Sequence, residues 1–448
     1  MIIHRVVLTL GIVALTSIGT KAQGPVSLSL QQALDLAAKQ SYAVQASALE
    51  AEKSIHRSKE IAAVGLPQIN GSVQLQNFLD VPTQLIPNFF SPPGSGAPEL
   101  LPVQFGVPWS MTAGLSLNQL IFDGSYLVGL KAAKELRVQS QQELEKTQAD
   151  ARNQTAKAYF GVLAAEEGIR LIGESLPLLE KSLNDVTATF EAGFLEQTDV
   201  DRINIQLEQA RAQQRDFQQQ ANVARMLLAL TMGTPQGTPL TLTDKLETIL
   251  KDPNETSLSE QELVASSHIE LQAANTIVGL SVLEHKNDVV KALPSLGGFL
   301  QHNQVWNGPT FDPGGTYQFY PTTLWGLQLN VPIFSSGSRI QKGKQTKIAI
   351  EQAKVNQTAT EQRLIAIAEQ SRSQARTAMD NLLTEERSMN LSKKILDRTT
   401  IKFNTGSATS FEYTQEQGNY LMAQQMYIQR MVELLMARAD LRKSLDLY

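Results

Sequence analysis

Ile69-Asn70-Gly71-Ser72-Val73-Gln74-Leu75-Gln76, and further on Trp109-Ser110-Met111-Thr112-Ala113-Gly114-Leu115-Ser116-Leu117-Asn118, place an apolar residue or glycine at every second position. Between them stand only glycine and uncharged polar residues. A period of two puts the two sets on opposite faces of a strand. One apolar face and one uncharged polar face suit a strand with lipid on one side and water on the other. Trp325-Gly326-Leu327-Gln328-Leu329-Asn330-Val331 repeats the pattern, whereas 296–305 follows it poorly, with Phe299 and His302 out of step. Strands of soluble sandwiches alternate too, so the environment has to be read from what surrounds these segments.

The surroundings change sharply in charge. Across 65–122 the only ionisable residues are Asp80 and Glu99; across 292–338 the only carboxylate is Asp312, and Lys and Arg are absent. All three tryptophans, Trp109, Trp306 and Trp325, fall in these segments. Indole rings favour a membrane interface, where one edge is apolar and the other wet; packing in a core is the plain alternative. Strands are expected at about 67–78, 109–121, 295–306 and 319–332. The connection over 78–108, with Pro92, Pro93, Pro98 and Pro102, reads as an irregular surface loop outside the cell.

The remainder reads as long helices. Pro177 is the only proline over 126–190, and 340–403 has none. At about 1.5 Å per residue each segment makes a rod of roughly 90–100 Å, which no globular domain can bury. Ala151, Thr155, Ala158, Val162, Ala165, Ile169, Ile172, Leu176, Leu179, Leu183, Val186 and Phe190 keep a four-three spacing. Leu364, Ala368, Ser371, Ala375, Ala378, Leu382, Met389, Leu396, Thr399 and Phe403 form a second such seam, broken at Glu385. A seven-residue repeat makes a left-handed coiled coil. Pro177 is expected to bend the first rod, because it removes a backbone hydrogen bond.

The two sets belong to an internal duplication. Leu66-Pro67-Gln68-Ile69 answers Leu293-Pro294-Ser295-Leu296, and Gly114-Leu115-Ser116-Leu117-Asn118 answers Gly326-Leu327-Gln328-Leu329-Asn330. Ile121-Phe122 answers Ile333-Phe334, and Phe190-Glu191-Ala192-Gly193 answers Phe403-Asn404-Thr405-Gly406. The order of the matches gives a first repeat over 24–245 and a second over 246–448, each helix, β-hairpin, long helix, tight turn and return helix. Four strands cannot close a membrane barrel, since the smallest have about eight. Open edges are intolerable in lipid, so several chains must pool their strands.

Residues 1–23 read as a signal peptide: His4 and Arg5, an apolar run over 6–18, then Thr20-Lys21-Ala22. That places the chain in the cell envelope. With no cysteine there is no disulfide, thiolate metal site or acylated N-terminal cysteine. A formal net charge of -5 argues against nucleic acid as a partner. The five histidines are scattered, and no nucleophile motif, metal spacing or phosphate loop stands out, so neither an enzyme nor a cofactor is expected.

The paired Leu66-Pro67 and Leu293-Pro294, the two Phe-x-x-Gly turns, and the junctions Leu117-Asn118-Gln119-Leu120-Ile121-Phe122-Asp123-Gly124 and Leu329-Asn330-Val331-Pro332-Ile333-Phe334 together resemble the TolC-like outer membrane factor family over nearly the whole mature chain. The resemblance implies a homotrimer in the outer membrane of a Gram-negative bacterium. Its twelve-stranded β-barrel, four strands per chain, would continue into a periplasmic α-helical coiled-coil barrel. It further implies a passive exit duct of a tripartite efflux or type I secretion system, docked to a periplasmic adaptor and an inner-membrane pump of RND or ABC type. Glu412 matches the family position whose acidic residues ring the periplasmic entrance, and Asp199 takes the equivalent place in the first repeat. The next acidic position of that pattern falls on Gln415, and a locking arginine corresponds to Ala408, so this entrance departs from the pattern. Gly193 and Gly406 are expected at the periplasmic helix tips, with Phe194, Leu195 and Ser407 exposed there for adaptor docking. A periplasmic adaptor or coiled-coil tether is the competing reading; uncharged alternating strands holding every tryptophan, and the duplication, speak against it.

Overall fold

The computed structural model describes residues 26–90, 92, 96, 98–252 and 257–448; the expected signal peptide at 1–23 lies outside them. The first half runs β1 (Val26–Leu28), α1 (Leu30–Gln40), α2 (Tyr42–Ala63), β2 (Gln68–Asn77), β3 (Thr83–Pro87), β4 (Leu100–Gln104), β5 (Trp109–Phe122), α3 (Gly124–Glu191) and α4 (Gln197–Met232). A link with β6 (Leu240–Leu242) and α5 (Leu246–Leu250) leads to α6 (Ile269–Val290), β7 (Ser295–Gly308), β8 (Tyr320–Asn330), α7 (Ser338–Asn404) and α8 (Ser410–Ser444). The fold is mixed α and β, and mostly helical. Among the described residues no helix is long and apolar enough to cross a membrane.

The main sheet has the order β2-β5-β7-β8, antiparallel throughout. The hairpin of each half therefore meets the other along β5 and β7, where Met111 lies opposite Trp306 and Leu117 opposite Leu300. Directly opposed residues share a face. Following the register, Ile69, Val73, Leu115, Leu117, Trp325 and Leu327 lie on one face. Gln74, Ser116, Asn118, Gln301, Asn303 and Gln328 lie on the other, and that second face carries no Asp, Glu, Lys, Arg or His on any of the four strands. Much of the apolar face is bare: Val73 is 75% and Trp325 76% exposed.

The register also explains the two residues that break alternation on β7. Phe299 stands on the polar face over Gly326, where a Cβ would come within 2.7 Å of the ring. The glycine thus makes room for an aromatic side chain from the neighbouring strand. His302 stands on the apolar face with Nδ1 2.7 Å from Thr323 Oγ1.

The 78–108 connection differs from the irregular loop expected of it. β3 and β4 pair as a separate antiparallel ribbon, with Leu85 opposite Pro102 and Pro87 opposite Leu100. A proline lacks only the N–H, so a two-stranded ribbon tolerates it where that group would point away from its partner. Leu79, Phe89 and Phe90 near the ribbon are strongly exposed.

The rods α3 and α7 contain 68 and 67 residues, about 100 Å each at the α-helical rise. On α3, Ala151, Thr155, Val162, Ile172, Leu179 and Val186 are buried; on α7, Leu364, Ala368, Ala375, Ala378 and Leu382 are. The spacing puts these residues on one stripe, and burial of that stripe against neighbouring helices stabilises the rods. α3 continues through Pro177 as a single element.

Midway along the rods the two halves are tied together. The core there joins Leu28, Tyr159, Leu228, Met232, Leu434 and Leu435, beside the short parallel pairing of β1 with β6. The Tyr159 hydroxyl lies 3.0 Å from both the Leu28 carbonyl and Asp244 Oδ2. Burial, and then the Asp244 carboxylate, push its pKa far above the ordinary phenol range. Asp244 Oδ2 also accepts the Leu30 N–H at 2.7 Å, at the start of α1. The second half does the same with Asp446, whose Oδ2 accepts the Ile269 N–H at 3.0 Å at the start of α6. Each carboxylate satisfies a helix N–H that has no intrahelical acceptor.

Candidate functional site: the paired helix tips

Both long rods end in the same way. Gly193 has φ of +83° and Gly406 of +73°, a left-handed conformation that glycine adopts without a Cβ penalty. The Phe194 N–H reaches back to the Thr189 carbonyl at 3.1 Å and the Ser407 N–H to the Lys402 carbonyl at 2.7 Å, closing the two rods. Phe194 is 81% exposed, Leu195 is half-buried, and Gly193, Gly406 and Ser407 are exposed.

Each return helix then starts with a carboxylate at its third position. In the second tip, Glu412 Oε2 accepts the Thr409 N–H at 2.8 Å while Thr409 Oγ1 accepts the Glu412 N–H at 3.2 Å, a reciprocal capping box. The Thr409 backbone N–H, followed by its hydroxyl, holds the Glu412 carboxyl below the ordinary glutamate range. The carboxylate is exposed. In the first tip, Asp199 Oδ2 accepts the Glu196 N–H at 3.2 Å. Its other oxygen accepts from the Ser410 hydroxyl of the opposite tip. Gln415 is exposed on α8, one turn beyond Phe411.

The two tips are therefore bound to each other, through residues that spacing alone did not single out. Ser182 Oγ lies 2.7 Å from the Tyr413 hydroxyl. The Gln206 side-chain amide donates to the Thr414 carbonyl, and that of Gln213 to Gln425 Oε1 at 3.1 Å. Tyr413 is 5% exposed, packs with Val186 and Ile203, and stacks on Phe403 with ring centroids 4.9 Å apart. Its burial raises the phenol pKa, and Asp185 adds to this while the Ser182 bond opposes it. The Arg202 guanidinium sits 5.1 Å from the centre of the Phe411 ring, a cation–π contact across the tips. Chemically the site can hold two helical hairpins together and present exposed carboxylates, Glu412 among them; it has no nucleophile–base pair. Among the described residues no group of three or more His, Cys, Asp or Glu is placed to hold a metal ion.

The tryptophans lie at two levels of the sheet. Trp109 and Trp306 gather with Phe311 and Tyr317 at the end near the β7–β8 connection, with Trp306 and Tyr317 ring centroids 4.5 Å apart. Trp325, paired with Leu300, stands eight residues of β7 away from Gly308, the partner of Trp109. At about 3.3 Å per residue that is roughly 26 Å along the strand.

A sequence profile of the outer membrane efflux protein family matches residues 105–234 and 293–446, covering β5 to α4 in the first half and β7 to α8 in the second. The chain belongs to the outer membrane efflux protein family. Its sequence is 21% identical to the outer membrane protein TolC of Vibrio cholerae serotype O1 over 312 residues, 67% of this chain and 68% of that protein. Its fold is similar to that of CusC, with a TM-score of 0.70 and 13% identity, over 93% of this chain and 91% of CusC. It is also similar to the MtrE outer membrane channel of Neisseria gonorrhoeae, with a TM-score of 0.68 and 16% identity, over 93% and 88% of the two chains. This family of efflux channels is not one of enzymes, and its place is the outer membrane of Gram-negative cells.

Proposed function

We propose that three copies of this efflux-family chain form a passive exit duct across the outer membrane and periplasm, fed by an inner-membrane pump of RND or ABC type through a periplasmic adaptor. The observation that carries it is the main sheet: four strands, two unpaired edges at β2 and β8, one bare apolar face and one polar face free of charge. In lipid the edges must be paired, and pairing β8 of one copy with β2 of the next closes a twelve-stranded barrel around water. The strands β2, β5, β7 and β8 are then the membrane strands, residues 1–23 are removed on export, and the two repeats supply equivalent halves of each subunit. Trp109 and Trp306 mark one interface of the apolar band and Trp325 the other, consistent with a band about 25 Å tall flanked by aromatic girdles.

At the far end the exposed Glu412 forms a three-fold acidic constriction favouring cations. Asp199 holds the tips together beside it, and Gln415 leaves the ring thinner by one charge. Phe194 and Leu195, on the turns made by Gly193, Gly406 and Ser407, dock the adaptor. The purified chain, extracted from membranes, is expected to have the mass of a trimer and to give small, steady, cation-preferring currents in a planar bilayer. A soluble, non-conducting species would overturn the duct and favour a periplasmic tether.

A further inference from the structure

The apolar face of the sheet is interrupted by a compact polar group that the duct does not use. His302 and Gln304 on β7 and Thr323 on β8 share the face of Val73, Leu115, Trp325 and Leu327. If that face meets lipid, as the channel reading requires, three hydrogen-bonding side chains stand in the hydrocarbon zone. Such groups are expensive there and mark a functional site.

The group is internally ordered. Gln304 Nε2 lies 3.2 Å from His302 Nε2, and His302 Nδ1 lies 2.7 Å from Thr323 Oγ1. An amide nitrogen can only donate, so the imidazole accepts at Nε2 and donates from Nδ1 to Thr323. Left over in the triad are the Thr323 hydroxyl hydrogen and the second Gln304 amide hydrogen, both donors, and the Gln304 amide oxygen, an acceptor. Gln304 is two residues of β7, about 7 Å, from the buried Trp306 in the aromatic cluster. That is the depth at which lipid acyl chains leave their head group.

We infer that His302, Gln304 and Thr323 form a lipid site for an acyl chain bearing a hydroxyl or amide near its root, as in the hydroxyacylated, amide-linked glycolipids of an outer leaflet. A hydroxyl or secondary amide both accepts from Thr323 and donates to Gln304. The ester of a glycerophospholipid only accepts, so it leaves the Gln304 oxygen unmet. The preference is therefore for one lipid class over another.

The inference rests on the channel reading, and the test separates the two. The detergent-purified full chain is incubated with equal amounts of lipid A and phosphatidylethanolamine, and bound lipids are counted by native mass spectrometry. Thr323→Val removes the donor at nearly constant shape, and Gln304→Leu removes the acceptor. Gln304→Leu is expected to lower the bound ratio of lipid A to phosphatidylethanolamine about threefold to fivefold, as loss of one hydrogen bond in a membrane does, whereas Thr323→Val lowers retention of both lipids with the ratio kept, and Ser116→Ala on the polar face changes neither. A conducting trimer whose ratio is the same in wild type and Gln304→Leu overturns the lipid site alone. A chain that neither conducts nor retains either lipid overturns the channel reading and this site with it.

Discussion

The two helix tips are built to one plan, yet they use their carboxylates differently. In the first, Asp199 spends one oxygen on its own helix start and the other on Ser410 across the gap. In the second, Glu412 turns Oε2 to Thr409 and stays exposed. The first acid is thus a fastener between halves, the second a charge that the solvent sees. The two acids hold equivalent positions at the starts of their helices, and the contacts around them separate their roles.

The largest effect should come from cutting the fastening at its buried centre. Tyr413→Ala removes the ring packed among Val186, Ile203 and Phe403; at about 3–5 kcal/mol for a buried aromatic, the tips should part and single-channel conductance should rise several-fold. Tyr413→Phe loses only the bond to Ser182, about 1 kcal/mol, so its conductance should stay near wild type. Next comes Asp199→Ala, which removes a charged acceptor for two donors, about 1.5–3 kcal/mol for such a bond. It should raise conductance more than Glu412→Ala does; the reverse order would break the division of labour between the tips.

Glu412→Gln should instead reduce cation preference and block by multivalent cations, with conductance little changed. Its pH dependence has a definite sign. A carboxyl held below its ordinary range in the folded protein contributes its cap at and above that range and loses it only as pH falls through the lowered value. Cation preference in bilayer recordings should therefore stay flat from neutral pH down to the ordinary glutamate pKa of about 4.3 and decline only below it. The smallest effect on the isolated protein is expected for Phe194→Ser, within about 0.5 kcal/mol because the ring is exposed. In a pull-down, however, the same variant should capture the adaptor several-fold less; undiminished capture would remove Phe194 from the docking surface.

A mostly helical, mixed fold of this family was legible because its signals are periodic: alternation beside charge-free flanks, four-three seams and turns ending in glycine. What spacing could not show are contacts between distant residues. Ser182 and Tyr413 are 231 positions apart and meet only because both rods turn back at one level. The candidate site was thus visible as two turns and two carboxylates, while the bonds joining them were not. The β3–β4 ribbon was hidden for another reason: Pro102, within β4, read as a breaker, although it costs a two-stranded ribbon little. His302 broke the alternation of β7 in the sequence, and only the register supplied its partners.

The polar face of the sheet, with amides and hydroxyls but no fixed charge, has a kinetic consequence. Within the sheet of the proposed duct a solute finds weak, interchangeable hydrogen-bonding groups and no Asp, Glu, Lys or Arg with which to form an ion pair. Its dwell time there does not depend on the sign of its charge, and it has no deep well in which to wait. In that proposal discrimination belongs to the inner end, and the outer end works as a low-friction outlet.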